Sequence, residues 1–338
     1  MLLHFRNFYK PHRRFRKDTR RPHFPLLALF YCSKLHEANL NRKAKLADLE
    51  HGDLMADTQG DSFIAGIPAE WQNFEARHRM FLERYPHLRE AQDTAFLRTL
   101  TRSEPIEKFV FGYGRLCCED FSEVFLLCAN GYGVGALKLL RTLYEHAVTL
   151  RYLHEHPEDL DNFWDFSYVA EHKVLKPIIE TFGERAFEDT PIRPTEVEER
   201  FQSVKDRFMI TDCRKCGTKR LNHTWSKLDF ATMAKRSGGL GTLIVPAYYT
   251  PLIHAHSSVA SLASRLAPLD GGGFTFVPTA QRKEADSVLV TAHNVILHVL
   301  EVQEERFSVP GLREKLQTCS QDFLDVWKGR ASRVGVES

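Results

Sequence analysis

From position 68 onward the chain is written in helical periods. Trp71, Phe74, Met80, Phe81 and Tyr85 recur at helical spacing behind Pro68, whose fixed φ suits a first helical turn. They predict one helix, with a short second one over about 90–101 and a third from Ile106 to Cys128. Asn130-Gly131-Tyr132-Gly133 breaks the pattern, and Val134 to Leu153 resumes it with apolar residues on most sides, the mark of a buried central helix. Pro157-Glu158-Asp159 opens a helix that Leu160, Phe163, Trp164, Tyr168 and Leu175 carry to about Phe182. Thr195-Glu196-Val197-Glu198 reads as the capped start of another, reaching Phe208.

Thr211 to Thr224 is polar and reads as a loop, Phe230 to Lys235 as a short helix, and Ser237-Gly238-Gly239-Leu240-Gly241 as a turn. Pro246 starts an apolar helix running to Leu266, Val288 to Val302 gives a clean amphipathic stripe, and Pro310 begins a terminal helix ending near Trp327. Only Gly273 to Val277 alternates like a strand, and one strand makes no sheet. The expectation is an all-α protein, an irregular helical bundle of about eight to ten helices with at most one short β-hairpin or strand.

Composition adds that the chain folds, since 43% hydrophobic and 27% charged residues are globular proportions. Phe24 to Cys32 is far shorter than the roughly 20 residues a spanning helix needs, so no membrane segment is expected. Seven cysteines scattered among apolar residues fit a reducing cytoplasm better than a disulfide framework. The net charge of +2 hides an asymmetry: residues 1–54 carry twelve Lys/Arg against five Asp/Glu, which leaves the remainder at −5. A mildly acidic body lacks the broad basic field of a protein that tracks a phosphate backbone. Residues 1–60 therefore read as a basic, flexible N-terminal extension and 61–338 as a single helical domain. Met55-Ala-Asp-Thr-Gln-Gly-Asp reads like a second start of translation.

Candidate chemistry concentrates on the central helix. Lys138, Arg141, Glu145 and Thr149 form one polar stripe on an otherwise apolar helix. The plain reading is an Arg141–Glu145 ion pair on a solvent face. A site needs a second polar group, and His254, His256, Ser257 and Ser258 interrupt the apolar run after Tyr248 and Tyr249. Three polar groups on two apolar helices need one another, so Arg141, Glu145 and His256 are expected to converge.

Arg141 and His146 also match the Arg-to-His spacing of the higher eukaryote and prokaryote nucleotide-binding (HEPN) ribonucleases. On a regular helix a five-residue step turns about 140°, so the two point apart unless the helix bends or a second subunit completes the site. Cys213, Cys216 and His223 supply three potential zinc ligands where a closed structural site takes four, so no metal is expected. Gly238, Gly239 and Gly241 lack the Lys-Ser/Thr of a phosphate loop, and no cofactor is implied.

Leu139-Leu-Arg-Thr-Leu-Tyr-Glu145, Asn162-Phe-Trp-Asp-Phe-Ser-Tyr168, Trp225, and Tyr248-Tyr249 leading to His256-Ser257-Ser258 together resemble an uncharacterised bacterial family, domain of unknown function 5677. The resemblance spans about 100–270 and implies an all-helical, HEPN-like fold; the helices over 281–328, outside it, are expected to pack on that part. It also implies functional positions at Arg141, Glu145, Tyr249, His256 and Ser257. A serine is usual one turn before His256, where this chain has Leu252 and Ile253.

Two functions follow. The first is a HEPN-like, metal-independent ribonuclease of a defence or toxin system, with Arg141 holding a phosphate, Glu145, His146 or His256 in catalysis, and Lys138, Tyr249 and Ser257 binding RNA. The second is a non-catalytic helical module that binds a protein partner or small ligand, either one compatible with a homodimer. An open cationic cleft around the stripe would favour the first, and a sealed, paired network the second.

Overall fold

The computed structural model describes residues 68–328 apart from 102, 213–215, 257–258 and 277–279. The expected N-terminal extension over 1–60, Cys213 and Ser257 lie outside the described residues. The fold is all-α, with two small two-stranded antiparallel sheets. Among the described residues the chain clusters into two compact units, one combining 68–161 with 226–328 and the other holding 162–225.

The first unit is organised on three long helices. The helix α3 (Pro105–Ala129) starts with a capping box between Glu104 and Glu107, reinforced by Pro105 in the first turn. After a tight connection comes α4 (Gly133–Glu155), and late in the chain α10 (Arg282–Phe307) packs against both. Val110, Phe121 and Val124 on α3, Leu140, Leu143 and Leu150 on α4, and Val288, Val295, Ile296 and Leu300 on α10 are essentially removed from water. Each such side chain contributes about 1.5–3 kcal/mol of burial. By length and composition α10 could cross a membrane, but 72% of its apolar window is buried in this core.

The α3–α4 connection shows why glycines stand there. Gly131 has a φ of +75°, and a Cβ on Gly133 would lie 2.3 Å from the Gln281 carbonyl and 2.6 Å from the Ala285 amide. The Val134 amide donates to Gln281 Oε1 at 3.0 Å, so the start of α4 is fastened to the start of α10. Two earlier helices, α1 (Pro68–Arg77) and α2 (Arg79–Phe96), meet at His78. The spacing instead predicts one helix from Pro68 through Tyr85 and a separate short one over about 90–101. Pro86 stays inside α2 because Phe81, Leu88, Ala91, Ala95 and Phe96 are buried along one stripe of the continuous helix, which offsets the roughly 3 kcal/mol of an interior proline.

The second unit contains most of α5 (Leu160–Phe182), α6 (Pro194–Val204) and the hairpin β1 (Met209–Thr211) to β2 (Lys219–Leu221). Val169, Val204 and Phe208 form one core cluster, and Leu175, Phe187, Ile192 and Val197 another. The expected loop over 211–224 thus carries a hairpin. Three-residue strands are too short for their alternation to stand out in a polar sequence.

Back in the first unit come α7 (Phe230–Arg236), a 3₁₀ segment over Gly238–Leu243, and a π-helical turn over Val245–Tyr249 that continues into α8 (Thr250–Ala255). The expected single helix from Pro246 to Leu266 therefore breaks at His256. Its remainder becomes α9 (Val259–Ala263) and strand β3 (Leu266–Pro268), paired with β4 (Phe274–Phe276). The terminal helix is α11 (Leu312–Val326).

Candidate functional site

The polar stripe lies on α4 where the π turn and α8 pack against it. Arg141 Nε donates to Glu145 Oε1 at 2.7 Å, and the guanidinium lies 4.6 Å from the centre of the Tyr248 ring. Helical spacing brings the first two together, since residues four apart share a face. Tyr248 is placed by its own stacking on Phe230, with centroids 4.5 Å apart, and Phe230 meets the Tyr144 ring edge-on. Tyr144 is buried, and its hydroxyl donates to the Leu240 carbonyl at 2.8 Å. Burial pushes the Tyr144 phenol far above its ordinary value, so it serves as a neutral donor. The glycine-rich segment, read from the sequence as a turn and folded as the 3₁₀ helix over Gly238–Leu243, is thus tied to α4 through the Leu240 carbonyl.

Arg141 is therefore occupied on two sides, by a carboxylate and by an aromatic face. Its side chain is 21% exposed and that of Glu145 40%, so the pair is a rim feature in partial contact with water. Lys138, one turn earlier, is exposed.

His146 belongs to a different cluster. Its Nδ1 lies 2.7 Å from Asp120 Oδ2 on α3, and its ring meets Tyr113 edge-on at 5.6 Å. Arg141 faces the Tyr248 segment while His146 faces α3, so the helix does not bend to bring them together within one chain. The Asp120 carboxylate orients the imidazole, as a carboxylate orients any histidine that keeps a fixed tautomer. Tyr113 is largely buried, and that burial raises its phenol well above the ordinary range.

Of the other expected positions, His256 ends α8 with an exposed side chain that bonds neither Arg141 nor Glu145. His254 is the partly enclosed histidine of this pair, with Nδ1 buried and unpartnered among the described residues. Tyr249 is 45% exposed and touches Tyr248 edge-on, so it stands outside the Arg141 contact that its neighbour makes. Asp120, Tyr113 and Tyr248 are the participants that sequence reasoning missed. Only Tyr248 carried a signal, as half of the Tyr248-Tyr249 pair.

In the second unit Cys216 is exposed with Sγ 2.9 Å from the Thr218 hydroxyl, and His223 is exposed. Among the described residues no three metal-ligating side chains gather in one place.

Residues 108–274 match the model of a family of unknown function, DUF5677. That segment, just under half of the chain, belongs to the family. The DUF5677 segment begins within α3 and ends at the start of β4, so the third core helix, α10, lies beyond the matched residues. No curated protein and no solved structure matches the chain.

Proposed function

We propose that this DUF5677 protein is a non-catalytic helical module that binds a protein partner. The observation that carries the reading is the separation of the two groups an RNA-cleaving site would need. Arg141 is paired with Glu145 and covered by Tyr248, while His146 is engaged with Asp120 on another face of α4. A phosphate held by Arg141 would have beside it only Glu145, a carboxylate already paired with that same guanidinium, and not the His146 imidazole, whereas general acid–base catalysis requires hydrogen-bond reach.

A further feature fits a protein partner. Large apolar side chains stand exposed on the π turn, α8, α9 and the β3–β4 hairpin, and exposed apolar surface of that extent marks protein contacts.

The test is expression of the wild type, Arg141→Ala and His146→Ala in cells, with growth and total RNA integrity as readouts. A binding module leaves RNA intact in all three. RNA fragmentation by the wild type that either variant abolishes would establish the HEPN-like ribonuclease reading and overturn this one.

A further inference from the structure

We infer that the partner of the exposed apolar face is a second copy of this chain, which makes the protein a homodimer through that face. The inference rests on the binding-module reading and names its partner.

The face is built by consecutive elements of the first unit. Val245, Tyr249 and Leu252 follow one another at steps of four and three residues, so they form a single outward stripe. On the opposite side of the same segment, Leu243, Ala247 and Pro251 are buried. The elements that follow extend the apolar surface, with Val259 84% exposed on α9 and Leu262 beside it. The hairpin adds Leu269, Phe274 and Phe276, and every residue of β4 is exposed.

Two magnitudes decide what covers such a face. Summed over these eight residues, the fractional exposures amount to on the order of 800 Å² of surface, about what each partner of a stable dimer buries. The second is charge. Between Val245 and Phe276 only Arg265 and Asp270 carry formal charge. A two-fold axis sets each patch against its own copy, so a patch with a strong net sign would repel itself, whereas a nearly neutral one does not. A partner recognised by charge would need the opposite, a face with a definite sign.

The hairpin supplies the means of alignment. Among the described residues β4 pairs only with β3, and Pro268 deprives β3 of one donor. The free edge of β4 is therefore the one that can pair with its copy, fixing the orientation of the two chains while the apolar side chains supply the area.

The experiment is sedimentation equilibrium of the full chain at micromolar concentration, on the wild type, Tyr249→Glu, Phe274→Glu and a control, Leu97→Glu, at the exposed leucine that ends α2. The wild type and the control should have twice the 39.0 kDa of one chain. Each face variant should weaken self-association by roughly tenfold or more, as loss of a central anchor does. Because both residues are exposed, the dissociated variants should still unfold in one cooperative transition, at a temperature lowered only by the lost association. A wild type that stays at 39.0 kDa, or face variants that remain dimers, would overturn the inference. A monomer that leaves cellular RNA intact would remove the self-association alone, whereas RNA fragmentation would remove the binding-module reading whatever the mass.

Discussion

His293 should make the fold progressively less stable as pH falls from 6.5. It sits on α10 with 3% of its surface exposed, enclosed by Phe81, Phe323 and Trp327. Trp327 Nε1 donates to His293 Nδ1 at 3.1 Å, so Nδ1 carries no proton and the neutral ring holds its hydrogen on Nε2. Burial depresses its pKa from 6.5 to about 3. Protonating Nδ1 would also set two donors against each other. Between those two values the unfolded chain binds a proton that the folded chain refuses, so stability is full above pH 6.5 and falls by about 1.4 kcal/mol for each unit below it. At pH 5 the loss is about 2 kcal/mol, and it hardly depends on where below 4.5 the folded value lies.

The perturbation is His293→Gln, which keeps an acceptor for Trp327 and cannot titrate in this range. Urea unfolding followed by circular dichroism at pH 7 and pH 5 gives the stability change for each chain. Every other titrating group is common to both and cancels. The wild type should lose about 2 kcal/mol more than the variant between the two pH values. Equal losses in the two chains would show that the folded histidine titrates normally and that the Trp327 contact does not hold it neutral.

Arg141→Ala should cost only about 1–2 kcal/mol, the sum of one half-exposed ion pair and one cation–π contact, because Glu145 remains in contact with water once its partner is gone. A loss above about 4 kcal/mol in denaturant unfolding would place that carboxylate in the core. Gly133→Ala should destabilise by about 3 kcal/mol, since the obstructing atoms are the backbone of Gln281 and Ala285 rather than movable side chains. An unchanged melting temperature would show that α4 and α10 can separate at no cost. A fragment of residues 108–274, the DUF5677 segment alone, should not form a cooperative fold, because α10 and its buried stripe are missing. A sharp thermal transition from the fragment would contradict this.

What the linear sequence determined is what neighbours along a helix determine. The apolar period marked α3, α4 and α10, the Asn130–Gly133 break marked the turn between the first two, and the four-residue step from Arg141 set its bond to Glu145. The same geometry explains why His146 leaves the Arg141 face, since a five-residue step rotates it away. Tertiary structure alone decided the partners. Asp120 lies 26 positions before His146, and Asp286 lies 208 after the buried His78, whose Nε2 it meets at 2.7 Å. Tyr248, which covers Arg141, lies in the π turn, a local departure from α-helical spacing that the chain's periodicity does not mark. The β1–β2 hairpin was equally invisible, because three-residue strands gain their stability from the core they lie on and leave almost no period of their own. Spacing along the chain specifies contacts within one helix, whereas contacts between elements depend on how buried stripes pack, and that is set by the whole core at once.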